Sequence, residues 1–91
     1  MERWTPEQLQ ASVDGYLDMR ERVARGEKVN KAETFRSLAN KYGKDEAAWT
    51  RRFGNLSQVM DELGYRKIPG LRPLANVGTN VTKLLVGMIQ A

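Results

Sequence analysis

Apolar residues recur along this chain at steps of three and four, the spacing of one helix face rather than the alternation of a strand. Leu9, Val13, Tyr16, Leu17 and Val23 make the first such stripe. Its start is marked by RWTPEQLQ, in which Thr5 can cap, Pro6 suits the first helical position, and Gln8 completes a capping box. Trp4 and Leu9 stand where a hydrophobic staple would join them, and Gly26 supplies the stop. Gly15, inside the pattern, costs about 1 kcal/mol relative to alanine. Its presence predicts another helix crossing closely there.

A second helix is predicted from NKAETFRSLANKYG, with Asn30 as cap, Glu33 as its capping-box partner, and Gly43 as terminator. Ala32, Phe35, Leu38, Ala39 and Tyr42 form its apolar stripe. A third runs over about 45–63, with Trp49, Phe53, Leu56, Met60 and Leu63 as one buried seam closed by Gly64. Gly54-Asn55 interrupts that seam and leaves open a kink or two shorter helices. YRKIPGLRP then forbids helix, so a turned loop follows, with Tyr65, Ile68 and Leu71 pinned to the core between Arg66, Lys67 and Arg72. A last helix over about 76–90 carries Val77, Val81, Leu84, Leu85, Met88 and Ile89 on its apolar face. Its apolar ending, LLVGMIQA, suggests a piece of a longer protein or a helix that packs on a partner. The expected fold is all-α: a small helical bundle with a helix-turn-helix-like core, built from three helices, a Pro/Gly-rich basic loop and a fourth C-terminal helix.

Composition narrows the chemistry. The chain has 91 residues, room for one modest core, and contains neither cysteine nor histidine. Disulfides, cysteine-based metal centres and the usual general base are therefore excluded, and no cofactor or metal is expected. Asp14 and Asp18 share a helix face, as do Asp18 and Arg22, which reads as a surface charge pattern rather than a catalytic site. The chain is not expected to be an enzyme. No apolar stretch approaches the roughly 18 residues of a membrane span, so a soluble, cytoplasmic protein without membrane partners is expected.

Charge is unevenly placed. Residues 1–30 hold five Lys/Arg against six Asp/Glu, whereas residues 31–91 hold ten against five. Such asymmetry fits a polyanionic partner. The second and third helices supply a place for it: in a helix-turn-helix, a small residue near the end of one helix and a glycine four residues later precede the helix that enters the major groove. Ala39 and Gly43 have that separation, with Lys44-Asp45 as the turn and N-cap region. With Trp49 and Phe53 turned inward, Ala47, Thr50, Arg51 and Asn55 become candidates for base edges, with Gln58 flanking the seam. Lys41, Lys44, Arg52, Arg66, Lys67 and Arg72 are the phosphate candidates. Asp45 and Glu46 would repel phosphate unless they serve the helix N-terminus. Double-stranded DNA is the expected partner, with residues 1–75 as the DNA-binding-like domain and residues 76–91 as a helix packing on the core, a partner or a following domain.

The succession RWTPEQLQASVDGYLDM, VNKAETFRSLA, RRFGNLSQVMDELGY and IPGLRPLANVG resembles the helical module ahead of the nuclease domain in HNH-type, modification-dependent restriction endonucleases and related prokaryotic defence proteins. The resemblance spans about residues 3 to 80, and its most specific part is Asn55-Leu56-Ser57, Val59-Met60 and Leu63-Gly64 followed by Ile68-Pro69-Gly70 and Pro73. It implies an accessory, DNA-contacting module attached to a nuclease. The histidines of an HNH core are missing, so any cutting would belong to another segment or chain. The rival expectation is a protein-interaction or dimerisation module, including a homodimer, whose working surface is Leu84, Leu85, Met88 and Ile89.

Overall fold

The computed structural model describes residues 3–75 and 77–91. Among them, four helices form: α1 (Pro6–Ala24), α2 (Lys31–Tyr42), α3 (Glu46–Leu63) and α4 (Thr79–Ile89). They pack as an all-α bundle around one apolar core, and a strap described over residues 64–75 and 77–78 lies between α3 and α4.

Local chemistry fixes the helix ends as expected. Thr5 Oγ1 accepts the Gln8 N–H at 3.1 Å while Gln8 Oε1 accepts the Thr5 N–H at 2.9 Å, a reciprocal capping box. The Gln8 amide has a second task, donating from Nε2 to the Tyr42 carbonyl at 2.8 Å and so tying the start of α1 to the end of α2. For α2, Asn30 Oδ1 accepts the Glu33 N–H at 3.0 Å, but among the described residues Glu33 makes no return bond. Asp45 Oδ1 accepts the Ala48 N–H at 2.8 Å and caps α3, which ends on Gly64 in the left-handed region at φ 74°. The last helix starts at Thr79, behind Gly78. Its expected start, Asn76, lies outside the described residues.

Three apolar assignments change, the first being Tyr65, expected on the core but 42 % exposed. Ala32 is exposed, because α2 is met by its neighbours through Phe35, Leu38, Ala39 and Tyr42. Leu84 is 51 % exposed, since α4 rotates Leu85 into the core and half-buries Val81, Val86, Met88 and Ile89 around it. The helix α3 runs unbroken through Gly54-Asn55. Gly54 is there for space: a methyl group on it would stand 2.8 Å from Leu74 Cδ1 and 3.2 Å from the Arg72 carbonyl oxygen. At Gly15 the expected close approach is present, and an added methyl would lie 3.3 Å from Phe53 Cζ and 3.7 Å from Leu38 Cδ1.

Besides the Lys67–Asp61 pair and the Arg20 bond to the Arg66 carbonyl, the strap is anchored at two further places. At the first, Ile68 is buried and its N–H donates to Tyr16 Oη at 3.1 Å, while that hydroxyl also hydrogen-bonds Ser57 Oγ at 2.9 Å. At the second, the Leu74 N–H donates to the Gly54 carbonyl at 3.0 Å and the Leu74 carbonyl accepts Asn55 Nδ2 at 2.9 Å. Tyr16→Phe should therefore destabilise the fold by about 1–3 kcal/mol, because it leaves a buried N–H and a buried hydroxyl without their shared partner. Chemical denaturation measures this, and a loss under about 0.5 kcal/mol would show that the hydroxyl does not hold the strap.

Candidate nucleic-acid interface

The turn between α2 and α3 is Gly43-Lys44-Asp45. Gly43 has φ 88° and Lys44 φ 62°, so both lie in the left-handed region that reverses the chain sharply. Two bonds close the turn: the Gly43 N–H donates to the Ala39 carbonyl at 2.9 Å, and Trp49 Nε1 donates to the Gly43 carbonyl at 2.8 Å. A core residue of α3 thereby sets the angle at which α3 leaves α2.

Beyond the turn, α3 is exposed over its first turns and again at Asp61 and Glu62 near its end. Glu46, Ala47, Thr50 and Arg51 are exposed, whereas Phe53, Gly54, Leu56, Ser57, Val59 and Met60 are all buried. The two carboxylates that could repel an anion here are engaged: Asp45 caps the helix, and Glu46 Oε1 lies 3.1 Å from Arg36 Nε. Thr50 Oγ1 donates to the Glu46 carbonyl at 2.9 Å.

Ala48, Arg51, Arg52 and Asn55 follow one another at helical spacing and line a cleft of about 300 Å³. Trp4 walls one side, and Leu74 with Ala75 the other. A neighbouring hollow that shares Trp4, Ala48 and Arg51 adds Lys44 and Asp45. Trp4 itself leans edge-on against Trp49, with centroids 4.8 Å apart and planes at 77°. Two cations lie over its ring, the Arg52 guanidinium at 4.6 Å and the Lys44 ammonium at 5.1 Å.

Arg52 is the unusual member of this group. Its Nε and Nη1 are buried and have no hydrogen-bond partner, and this desolvation lowers its pKa from the ordinary arginine value. The group remains charged at neutral pH, as guanidinium does. The indole face attracts it without accepting its N–H bonds.

Other candidates are placed differently from expectation. Asn55 is removed from the base-edge set, because its amide holds the strap through the Leu74 carbonyl. Lys67, half-buried, sits 2.7 Å from Asp61 Oδ1 and forms an ion pair that ties the strap to α3. Arg66 keeps a looser pairing, 3.7 Å to Glu21 Oε1 at the surface, and Arg72 is exposed. Lys41 lies over the Tyr42 ring at 5.4 Å. Gln58 Nε2 turns along its own helix to Glu62 Oε1 at 3.1 Å. Of the interface candidates on α4, Leu85 is fully buried between helices, Met88 and Ile89 are half-buried, and Leu84 alone is exposed. The acidic pattern on α1 resolves into an Asp18–Arg22 pair at 2.9 Å and an Asp14 that accepts Gln10 Nε2 at 2.9 Å.

Sequence spacing missed the role of Trp4 and Leu74. Arg51, Arg52 and Asn55 were singled out in the sequence but Ala48 was not, and the cleft's walls come from segments distant in the chain. No cluster of acidic side chains able to hold a metal ion occurs among the described residues, and no helix among them is long and apolar enough to cross a membrane.

The fold and the cleft together define a small helical bundle with a cationic, aromatic-backed groove at the start of one helix. No protein-family model, curated protein or solved structure matches the chain.

Proposed function

We propose that this chain is an accessory DNA-binding module that contacts duplex DNA through the start of α3, with Ala47, Thr50 and Arg51 toward base edges. The observation that carries the reading is the uncovered first part of α3, where Arg51 stands exposed beside Lys44 and Arg52 and the nearby carboxylates are already engaged. Its setting supports this use: a short turn bolted to the core through Trp49 presents the helix rigidly. Arg51 suits a guanine edge because its fork can donate two parallel hydrogen bonds, and Thr50 suits a phosphate or a thymine methyl. Lys41, Lys44, Arg52 and Arg72 supply the phosphate affinity, with Arg66 as an outer contributor. The attachment to a restriction or defence nuclease comes from the sequence resemblance.

Anisotropy of a labelled duplex at several salt concentrations tests the proposal. With about four phosphates neutralised, the logarithm of the binding constant should fall against the logarithm of salt with a slope of about −3 to −4. Arg51→Ala should weaken binding by about 1–3 kcal/mol and flatten any preference among duplex sequences. A slope near zero, or an Arg51→Ala protein that binds as the wild type does, would remove this reading. A small module buries limited DNA surface, so high specificity would require a second copy or the attached nuclease domain.

A further inference from the structure

We infer that the cleft between Trp4 and Leu74 is a socket for one backbone phosphodiester of a nucleic acid, seated on Arg52, with Arg51 left to its base edge. This rests on the DNA-contacting reading and assigns that reading a specific anchoring point. Three observations lead to it. Ala48, Arg51, Arg52 and Asn55 lie on one face of α3, and the small side chain of Ala48 leaves the floor open between cationic neighbours. Arg52 has buried N–H groups that no described residue accepts, although it is held in place over the Trp4 ring at 4.6 Å. Nε and Nη1 are closed off from solvent, so an anion in the cleft would meet the remaining nitrogen, Nη2, and be held there by the charge of the whole guanidinium.

Size and lining select the ligand. A volume of about 300 Å³ exceeds what a bare phosphate needs, and the walls are the apolar Leu74 and the indole of Trp4. A phosphodiester matches both properties: a non-ester oxygen meets Arg52, and the adjoining sugar carbons lie against the apolar walls. A free inorganic phosphate would use the cations and leave the walls bare. With the Trp4 ring already faced by Arg52 and Lys44, the socket serves the backbone and not a stacked base.

The test follows the Trp4 indole N–H and the Arg52 Nε–H by nuclear magnetic resonance in the isotope-labelled full chain. A short duplex, a dinucleoside monophosphate and inorganic phosphate are added in separate titrations. Both signals should shift with the duplex, weakly with the dinucleoside monophosphate, and least with inorganic phosphate. Arg52→Gln should lower duplex affinity about tenfold and reduce the salt slope by about one unit. Arg52→Lys should recover only part of the loss, because it restores the charge without the planar fork. Should Arg52→Gln prove unstable on melting, the wild-type shifts and Arg52→Lys still decide. Duplex binding that leaves both signals unmoved would overturn the socket and leave the DNA reading standing. Shifts with inorganic phosphate but no duplex binding would overturn the nucleic-acid source and the DNA reading together. No shift with any of the three would overturn the socket outright.

Discussion

Trp49→Ala should cost about 3–5 kcal/mol of folding stability, the range for deleting a buried large aromatic. In a domain of this size each kcal/mol moves the melting midpoint by roughly 4–8 °C, so a fall of about 12–40 °C is expected by circular dichroism. The reason is positional as well as volumetric. Trp49 is fully buried, meets Trp4 edge-on, tilts against Tyr42 with centroids 6.1 Å apart, and closes the α2–α3 turn through its Nε1–H. Removing it opens a cavity beneath the turn and withdraws the surface on which Trp4 rests. Trp49→Phe separates the two contributions, since it keeps most of the ring while leaving the Gly43 carbonyl without its donor, a loss of about 1–3 kcal/mol. A melting curve for Trp49→Ala within a few degrees of the wild type would sink the claim that this side chain sets the turn.

Leu85→Glu should be comparably severe, and for a reason that separates two views of α4. Leu85 is 0 % exposed and sits in the common core, so a carboxylate there must either lose its hydration or drive α4 off the bundle. A loss above about 4 kcal/mol is expected, the mark of a charge forced into a core. Leu84→Glu, one residue earlier and 51 % exposed, should change stability by no more than about 0.5 kcal/mol. Melting and sedimentation of both variants provide the measurement. If Leu85→Glu melts like the wild type while changing the molecular mass in solution, α4 acts as an interface between copies and its docking on α1 and α3 must be given up.

The contrast between Leu84 and Leu85 illustrates what could be read in advance. Periodicity placed both on one apolar face, because a stripe with an apolar residue at almost every inward or flanking position is wider than the contact it makes. Which edge of the stripe turns inward is decided by the helices it meets. Ala32 presents the same problem from the other side: it falls within the period, but no neighbour covers it. By contrast, the Thr5–Gln8 box, the Asp45 cap region and the Gly43 and Gly64 terminators were legible, since each depends on bonds between residues three or four apart. Gly15 was legible for a different reason: glycine at an inward helix position invites a ring from the facing helix, and Phe53 fills that place.

The candidate site divides along the same line. Lys44, Ala47, Thr50, Arg51 and Arg52 could be assembled from a turn signal and a helical period, without knowing what packs where. Asn55 and Lys67 could not be judged that way. Each is engaged by a partner that only the strap's path brings close: the Leu74 carbonyl for Asn55, and Asp61 for Lys67. Arg52 is the sharpest case. From sequence it is one more surface cation, yet Trp4 and Leu74 enclose it and strip water from its donors.

By itself, then, the sequence determined an all-α chain, the positions of its turns, the inward seam of α3 and the absence of histidine and cysteine chemistry. These follow from composition and from interactions spanning a single helical turn. Only the tertiary structure decided that Gly54 receives Leu74, that Asn55 is an anchor, that Leu85 is core, and that Arg52 lies in a cleft with unused buried donors. Those outcomes depend on contacts between segments far apart in the chain, whose approach is set by the shape of the whole core rather than by any local pattern.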